Sequence, residues 1–355
     1  MATNLIFRAG PGAFETIRRE GFDPAMVGTL AGASGGAKWL VLSQLDRVIV
    51  KDILPALSGP VHTIGTSIGA WRFACYAQPE PLEAIERFEE AYIEQRYSEK
   101  PDRQEITARS REIMDEVVPD PAVEAILSHP VLRTHIMTVR SRHVLASETT
   151  PLLVAGLAAT AGLNLLSRRS LGLFFERALF HDPRDNPPFK GLAGFPLQEV
   201  PLDAQNLKPA VLATGSIPLV LEGVADIPGA RPGVYRDGGV IDYHLDLPQS
   251  ANGRLALYPH FYDFLTPGWF DKRLRSRRPG VGHIANTLLI SPSPEFVARL
   301  PHGKIPDRHD FVNFPPDERR RAWRRAVADC RALADEFHEV LATGRLAERI
   351  VRWDA

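Results

Sequence analysis

The stretch VHTIGTSIGAWRFACYA, residues 61–77, decides how the rest of the chain is read. Its first half is rich in β-branched residues and its second half in apolar helix formers, with Gly65-Thr66-Ser67-Ile68-Gly69 at the junction. A serine framed by glycines at a strand-to-helix turn has two readings: a nucleophile held in a strained elbow, or a small residue at an ordinary tight bend. Without Cβ atoms at Gly65 and Gly69 the strand and helix can approach closely. The Ser67 hydroxyl would then project beside a helix N-terminus, where partial positive charge favours its alkoxide.

Upstream, AMVGTLAGAS (25–34) reads as a strand ending in glycines, and GGAKWLVLSQLDRVIVKDIL (35–54) as a helix with Leu40, Leu45 and Val48 on one face. Two consecutive strand–turn–helix units imply parallel strands joined by right-handed crossovers, hence a layered α/β domain. Downstream, Pro81 to about Asp120 is polar and predicts a helical insertion over the sheet. VLRTHIMTVRS (131–141) predicts a strand, and the apolar run 152–180 predicts helix. Residues 203–224, DAQNLKPAVLATGSIPLVLEGV, read as a helix that stops before Pro218, followed by a strand. PGVYRDGGVIDY (232–243) and HIANTLLIS (283–291) predict further strands. From Pro315 a capped amphipathic helix with alternating arginines and carboxylates reads as a solvated face. The expected organisation is one domain over residues 1–310, with its helical insertion at about 80–195, and a helical extension over 311–355.

Of 355 residues 44% are hydrophobic, enough for a sizeable core, and 42 basic side chains stand against 43 acidic ones. No global field exists to hold a polyanion, so nucleic acid is not an expected partner. Cys75 and Cys330, the two cysteines, cannot build a disulfide framework or a four-thiolate zinc site and read as buried thiols in a reducing compartment. The first twenty residues lack the pattern of a secretory leader, so a cytoplasmic location is expected. Thr149 to Ser167 is uncharged and close to the roughly 20 residues of a spanning helix. Its Gly, Ala, Thr and Asn content weakens that reading, and a buried, lid or interfacial helix is expected instead.

A serine that attacks an acyl carbonyl needs preorganised N–H donors for the developing oxyanion. GASGGAKWL (32–40) lies at the preceding strand–helix junction, and Gly35 and Gly36 are the expected donors. Neither a Walker loop nor a dinucleotide fingerprint fits: Ala37 and Trp39 flank Lys38, and Gly32-Ala33-Ser34 breaks G-x-G-x-x-G. Lys38, in the first turn of a helix, is read as either a solvated lysine or an attractor of an anionic head group. For the base, a Ser-Asp-His order would select a late histidine, His283, His302 or His309. Asp237, followed by two glycines, is a second option, although Asp-Gly between β-type runs is also a common hairpin turn.

Three pieces in order, SGGAK (34–38), GTSIG (65–69) and DGG (237–239), resemble the patatin-like phospholipase family, and ATGSIPLVL (213–221) is similar to that family's segment upstream of its aspartate. The resemblance implies a three-layer α/β fold with a mainly parallel central sheet and a Ser-Asp dyad without histidine. It assigns Ser67 as nucleophile, Asp237 as base, and Gly35 and Gly36 as the oxyanion loop with the amide of Ile68 as a further donor; Lys38 is the candidate substrate-binding residue from its charge and position. Ser34 and Trp39 stand where the family usually has glycine. The implied activity is serine acyl hydrolysis of lipid or fatty-acyl esters, with no metal and no cofactor. A triad esterase and a non-catalytic lipid-binding protein are the rival readings. Residues 257–278 place six aromatics before a basic cluster, a composition that fits either peripheral contact with an anionic membrane or core followed by a wet turn. Oligomeric state is not legible.

Overall fold

The computed structural model describes residues 3–250, 253–274 and 276–354. Eleven strands form one sheet: β1 (Leu5–Ala9), β2 (Val27–Gly32), β3 (Val61–Thr66), β4 (Leu132–Ser141), β5 (Phe175–His181), β6 (Leu197–Pro201), β7 (Val224–Ala225), β8 (Val234–Asp237), β9 (Leu255–Pro259), β10 (Thr287–Pro292) and β11 (Ile350–Arg352). Their order is β11-β1-β10-β9-β2-β3-β4-β5-β6, with β8 paired to β4 and β7 to β8. The central run β10-β9-β2-β3-β4 is parallel, whereas β1 and β5 are antiparallel to their inner neighbours. With helices packed on it, the sheet makes a three-layer, mostly parallel α/β fold, as the two strand–turn–helix units predict.

The elements that shape the site are α1 (Pro11–Glu20), α2 (Ser43–Val48), α3 (Ile68–Tyr76), α4 (Pro81–Ile93), α5 (Arg103–Val117), α6 (Asp120–Ser128) and α7 (Thr150–Leu166). Pro81 occupies the first position of α4, and Asp102 caps α5 by accepting the Glu105 amide at 2.8 Å. Strand β2 is buried throughout and β3 nearly so, as inner strands of a parallel sheet should be. Beneath them, Arg72 of α3 donates to both oxygens of Asp46 at 2.9 and 2.5 Å, and Tyr76 adds a third bond at 2.8 Å. A second enclosed pair, Arg177 on Asp242, bonds at 2.8 and 2.7 Å.

Several local expectations change. Phe175–His181 is strand β5, not helix: it is short and buried along its whole length, so its apolar run carries no period to separate the two. The expected single helix over 35–54 is broken into a 3-10 turn Gly36–Val41, α2, a π turn Ile49–Ile53 and a last 3-10 turn at Pro55. The strand expected after Pro218 is a turn in which Leu219 has φ of 69°, and pairing resumes only at β7. The tail beyond Pro315 forms two helices, Pro316–Asp329 and Arg331–Ala342, and then β11, which pairs with β1. Among the described residues no helix is long and apolar enough to cross a membrane. Helix α7 buries Leu153 and Leu157 but exposes Leu165 and Leu166.

Candidate active site

Strand β3 ends at Thr66 and α3 begins at Ile68, so Ser67 alone makes the turn. Its backbone adopts φ 51° and ψ −130°, a conformation rare for a residue with a side chain and typical of strained functional turns. The flanking glycines are sterically required. A Cβ on Gly65 would stand 2.4 Å from the Ala70 nitrogen, and one on Gly69 would stand 2.1 Å from the Gly32 oxygen. The Ser67 amide donates to Thr214 Oγ1 at 2.8 Å, and that hydroxyl donates onward to the Met137 carbonyl at 2.5 Å. ATGSIPLVL therefore holds the serine turn in place.

Asp237 closes β8, opposite Thr138 of β4. The Asp-Gly-Gly triplet makes no hairpin here; the chain passes into a 3-10 turn, Gly238–Val240, whose Gly239 amide donates to Asp237 Oδ1 at 2.7 Å. Its own amide bonds the Ser216 carbonyl at 3.1 Å. Ser34 Oγ lies 3.4 Å from Asp237 Oδ1 and 3.0 Å from Thr66 Oγ1. Thr66 donates to the Asp242 carbonyl, which leaves the Thr66 oxygen and the Asp237 carboxylate as the two acceptors within reach of the Ser34 hydroxyl.

Ser67 and Asp237, 170 positions apart in the sequence, line the same cavity. Burial pushes the Asp237 carboxyl up to about 6, against the opposing influence of the Ser67 hydroxyl, the Gly239 amide, Lys272 and Ser34. A carboxylate so placed is a far better base than one near the usual value of about 3.9. No histidine hydrogen-bonds either residue among the described ones. His309 lines the same cavity, His283 is taken by Asp246 at 2.8 Å, and His302 stacks on Phe314.

Gly35, Gly36, Lys38, Ser67, Ile68 and Asp237 all line one cavity of about 820 Å³. Gly36 has φ of 54°, which glycine adopts without strain. Among the described residues no protein acceptor takes the amides of Gly35, Gly36 or Ile68. Trp39 is not in the cavity wall; it is buried and stacks on Phe88 with ring centroids 4.4 Å apart. Part of the cavity wall is apolar, with Trp71, Phe88 and Tyr92, Ile113 of α5, and Phe311 and Val312 from the C-terminal segment among its lining residues.

The opposite character comes from three cations. Lys38, Lys272 and Arg308 line the cavity, and none makes an ion pair among the described residues. Lys272 is exposed, with its ammonium over Tyr243, 4.1 Å from the ring centroid, and its pKa is pulled down to about 7. Enclosure is the main cause, with repulsion from Lys38 and Arg308 next. Lys38 is likewise lowered, by burial first. Sequence reasoning found Lys38 alone. Lys272 was legible only as the start of a basic run, and Arg308 carried no signal.

The fold and this junction define a three-layer α/β protein with a serine on a strained strand-to-helix turn. Among solved structures the chain is similar to VipD from Legionella pneumophila, with a TM-score of 0.34 and 10% sequence identity over 77% of this chain and 56% of that one. This chain thus spans little more than half of the length of that neighbour. No family model and no curated protein matches the sequence.

Proposed function

We propose that this chain is a serine acyl hydrolase of the patatin-like phospholipase type, cleaving fatty-acyl esters through a Ser67–Asp237 dyad. The observation that carries the reading is a strained serine hydroxyl beside a buried carboxylate of raised pKa, both on the wall of a cavity that also holds unengaged amides. Asp237 takes the Ser67 proton as Oγ attacks the ester carbonyl, and the amides of Gly35, Gly36 and Ile68 receive the oxyanion. Collapse breaks the ester bond, and the alcohol leaves with the proton from Asp237. Water then gives its proton to Asp237 and its oxygen to the acyl carbon. The carboxylic acid departs and Ser67 regains its proton.

The apolar part of the wall supports a fatty-acyl chain as the group that enters the cavity. The absence of a histidine bonded to either residue favours the dyad over a triad. A panel of esters graded in acyl length, run on wild type, Ser67→Ala and Asp237→Asn, tests the assignment together with fluorophosphonate labelling. Turnover and adduct should both vanish in Ser67→Ala. Equal turnover by all three proteins would overturn the site, and a folded wild type that neither labels nor turns over any ester would point to a non-catalytic binder.

A further inference from the structure

Helix α7 reverses the usual placement of polar and apolar side chains on a surface helix. Its buried residues are Leu153, Gly156, Leu157, Thr160 and Asn164, so its inner face holds the polar groups. Thr160 donates to the Gly156 carbonyl at 2.7 Å, and Asn164 donates to the buried carboxylate of Asp271 at 2.9 Å. Outward stand Leu152, Val154, Leu163, Leu165 and Leu166, and from Pro151 to Leu166 no exposed residue is polar or charged. Leu166 is 84% exposed and Leu165 64%. Helix α5, by contrast, turns Arg111, Glu112, Asp115 and Glu116 to water.

The apolar face cannot roll inward. Asn164 also accepts from Arg277 at 2.8 Å, and Asp271 takes Arg277 at 2.7 Å and Arg168 at 3.2 Å, so turning the helix would strand a buried carboxylate. The two segments joined by this network carry exposed Arg169, Arg273 and Arg278, and Leu173, 59% exposed, follows shortly after α7. No carboxylate occurs from Thr149 to Phe175 or from Lys272 to Pro294. Leucines beside arginines, with no acidic residue in either segment, complement an anionic bilayer. They match a second copy of the chain poorly. Parallel helices would set arginines against arginines, and antiparallel ones would bring them to Glu148, which Arg103 and Arg236 already hold. At 17 residues α7 is also shorter than the roughly 20 needed to span a membrane, which leaves an orientation in its plane.

We propose that the outward face of α7, extended by Leu173, docks in the plane of an anionic lipid bilayer. Leu165, Leu166 and Leu173 enter among the acyl chains, and Arg169, Arg273 and Arg278 meet the lipid phosphates. This docking belongs to the helix and does not depend on what Ser67 does. Its place in the fold gives it a use, because Trp269 and Lys272, which flank Asp271, line the cavity. The contacts that fix α7 are thereby joined to the cavity wall.

Sedimentation with sucrose-loaded vesicles tests the proposal on the full chain carrying Ser67→Ala, so that Ser67-dependent hydrolysis cannot consume the lipid. Vesicles of phosphatidylcholine and phosphatidylserine in equal parts should bind on the order of tenfold tighter than phosphatidylcholine alone. Leu165→Gln with Leu166→Gln should weaken binding to the anionic vesicles by about tenfold or more. Arg169→Gln with Arg273→Gln should erase most of the preference for the anionic lipid. Val351→Gln, an exposed apolar position on β11 at the opposite edge of the sheet, should change neither. Both leucines face water in the free protein, so their double variant should keep the wild-type melting temperature. Nitrobenzoxadiazole on Leu166→Cys should shift its emission to the blue on the anionic vesicles, with Cys75 and Cys330 buried and unlabelled. No binding, equal binding to both vesicles, or binding that survives the leucine variant would overturn the proposal. A dimer by light scattering that the leucine variant converts to monomer, without vesicle binding, would give the face to a second copy instead. Vesicle binding without Ser67-dependent ester turnover would remove the hydrolase reading and keep the docking face, whereas turnover of soluble short-chain esters without vesicle binding would do the reverse.

Discussion

Two neighbouring residues summarise a contrast that runs through the molecule. Asp271 is buried and takes bonds from Asn164 at 2.9 Å, Arg277 at 2.7 Å and Arg168 at 3.2 Å. Lys272, the next residue, has no acidic partner in contact among the described residues. The same division separates Asp46, clasped by Arg72 and Tyr76, from Asp237, whose fixed partners are hydroxyls and one amide. Charges that hold the fold are matched within the protein, whereas Lys38, Lys272 and Arg308 on the cavity wall have no ion-pair partner among the described residues. Burying an ion pair is tolerable when geometry and hydrogen bonds offset desolvation, whereas Lys272 and Arg308 keep contact with solvent.

The largest test of that contrast is catalytic. Ser67→Ala and Asp237→Asn should each lower kcat/KM for esters by on the order of 10⁴-fold, whereas Arg72→Ala, in whatever fraction stays folded, should leave the rate per folded molecule within a few-fold. Stability should move the other way. Arg72→Ala strands Asp46 and should destabilise by about 3–5 kcal/mol in denaturant titrations. Asp237→Asn should stabilise, because a carboxyl whose pKa is raised by folding makes its ionised form a burden on the native state. From the shift to about 6, the gain is about 2–3 kcal/mol above pH 6 and fades to nothing as pH falls below about 4. An Asp237→Asn protein less stable than wild type at pH 8 would break the comparison.

A smaller effect sharpens it. The base must be ionised, so kcat/KM on a neutral ester should fall about tenfold per pH unit below an apparent pKa near 6, a value that burial raises and that Ser67, the Gly239 amide, Lys272 and Ser34 hold back. Smallest of all, Lys272→Met should raise the melting temperature slightly near neutral pH. Folding lowers this ammonium's pKa, so the strain is present at and below about 7 and disappears as pH rises toward the usual lysine value. The exposure of Lys272 keeps the gain modest.

What the sequence revealed follows from which constraints are local. Gly65, Ser67 and Gly69 were readable because the steric demand of a one-residue turn is written into adjacent positions. Asp237 was readable from its glycines once joined to the other two motifs, although its place on the cavity that Ser67 also lines depends on β8 lying against β4. Strand β5 was hidden because burial on all sides removes the alternation that marks a strand. Arg308 and Phe311 were hidden for another reason: they reach the cavity only through the tertiary path of the C-terminal segment, and no short window records it. The basic run after Trp269 split in the same way, with Arg277 used to bind Asp271 and Lys272 turned to the cavity.

The division of the cavity wall among distant stretches of chain also has a consequence for biosynthesis. Ser67 leaves the ribosome roughly 240 residues before Arg308 and Phe311, which at ordinary elongation rates is a delay of about 10–50 seconds. Through that interval the nascent chain carries its serine turn without all of its cations or the full apolar wall. The cavity wall is thus complete only once the segment around Arg308 and Phe311 has docked.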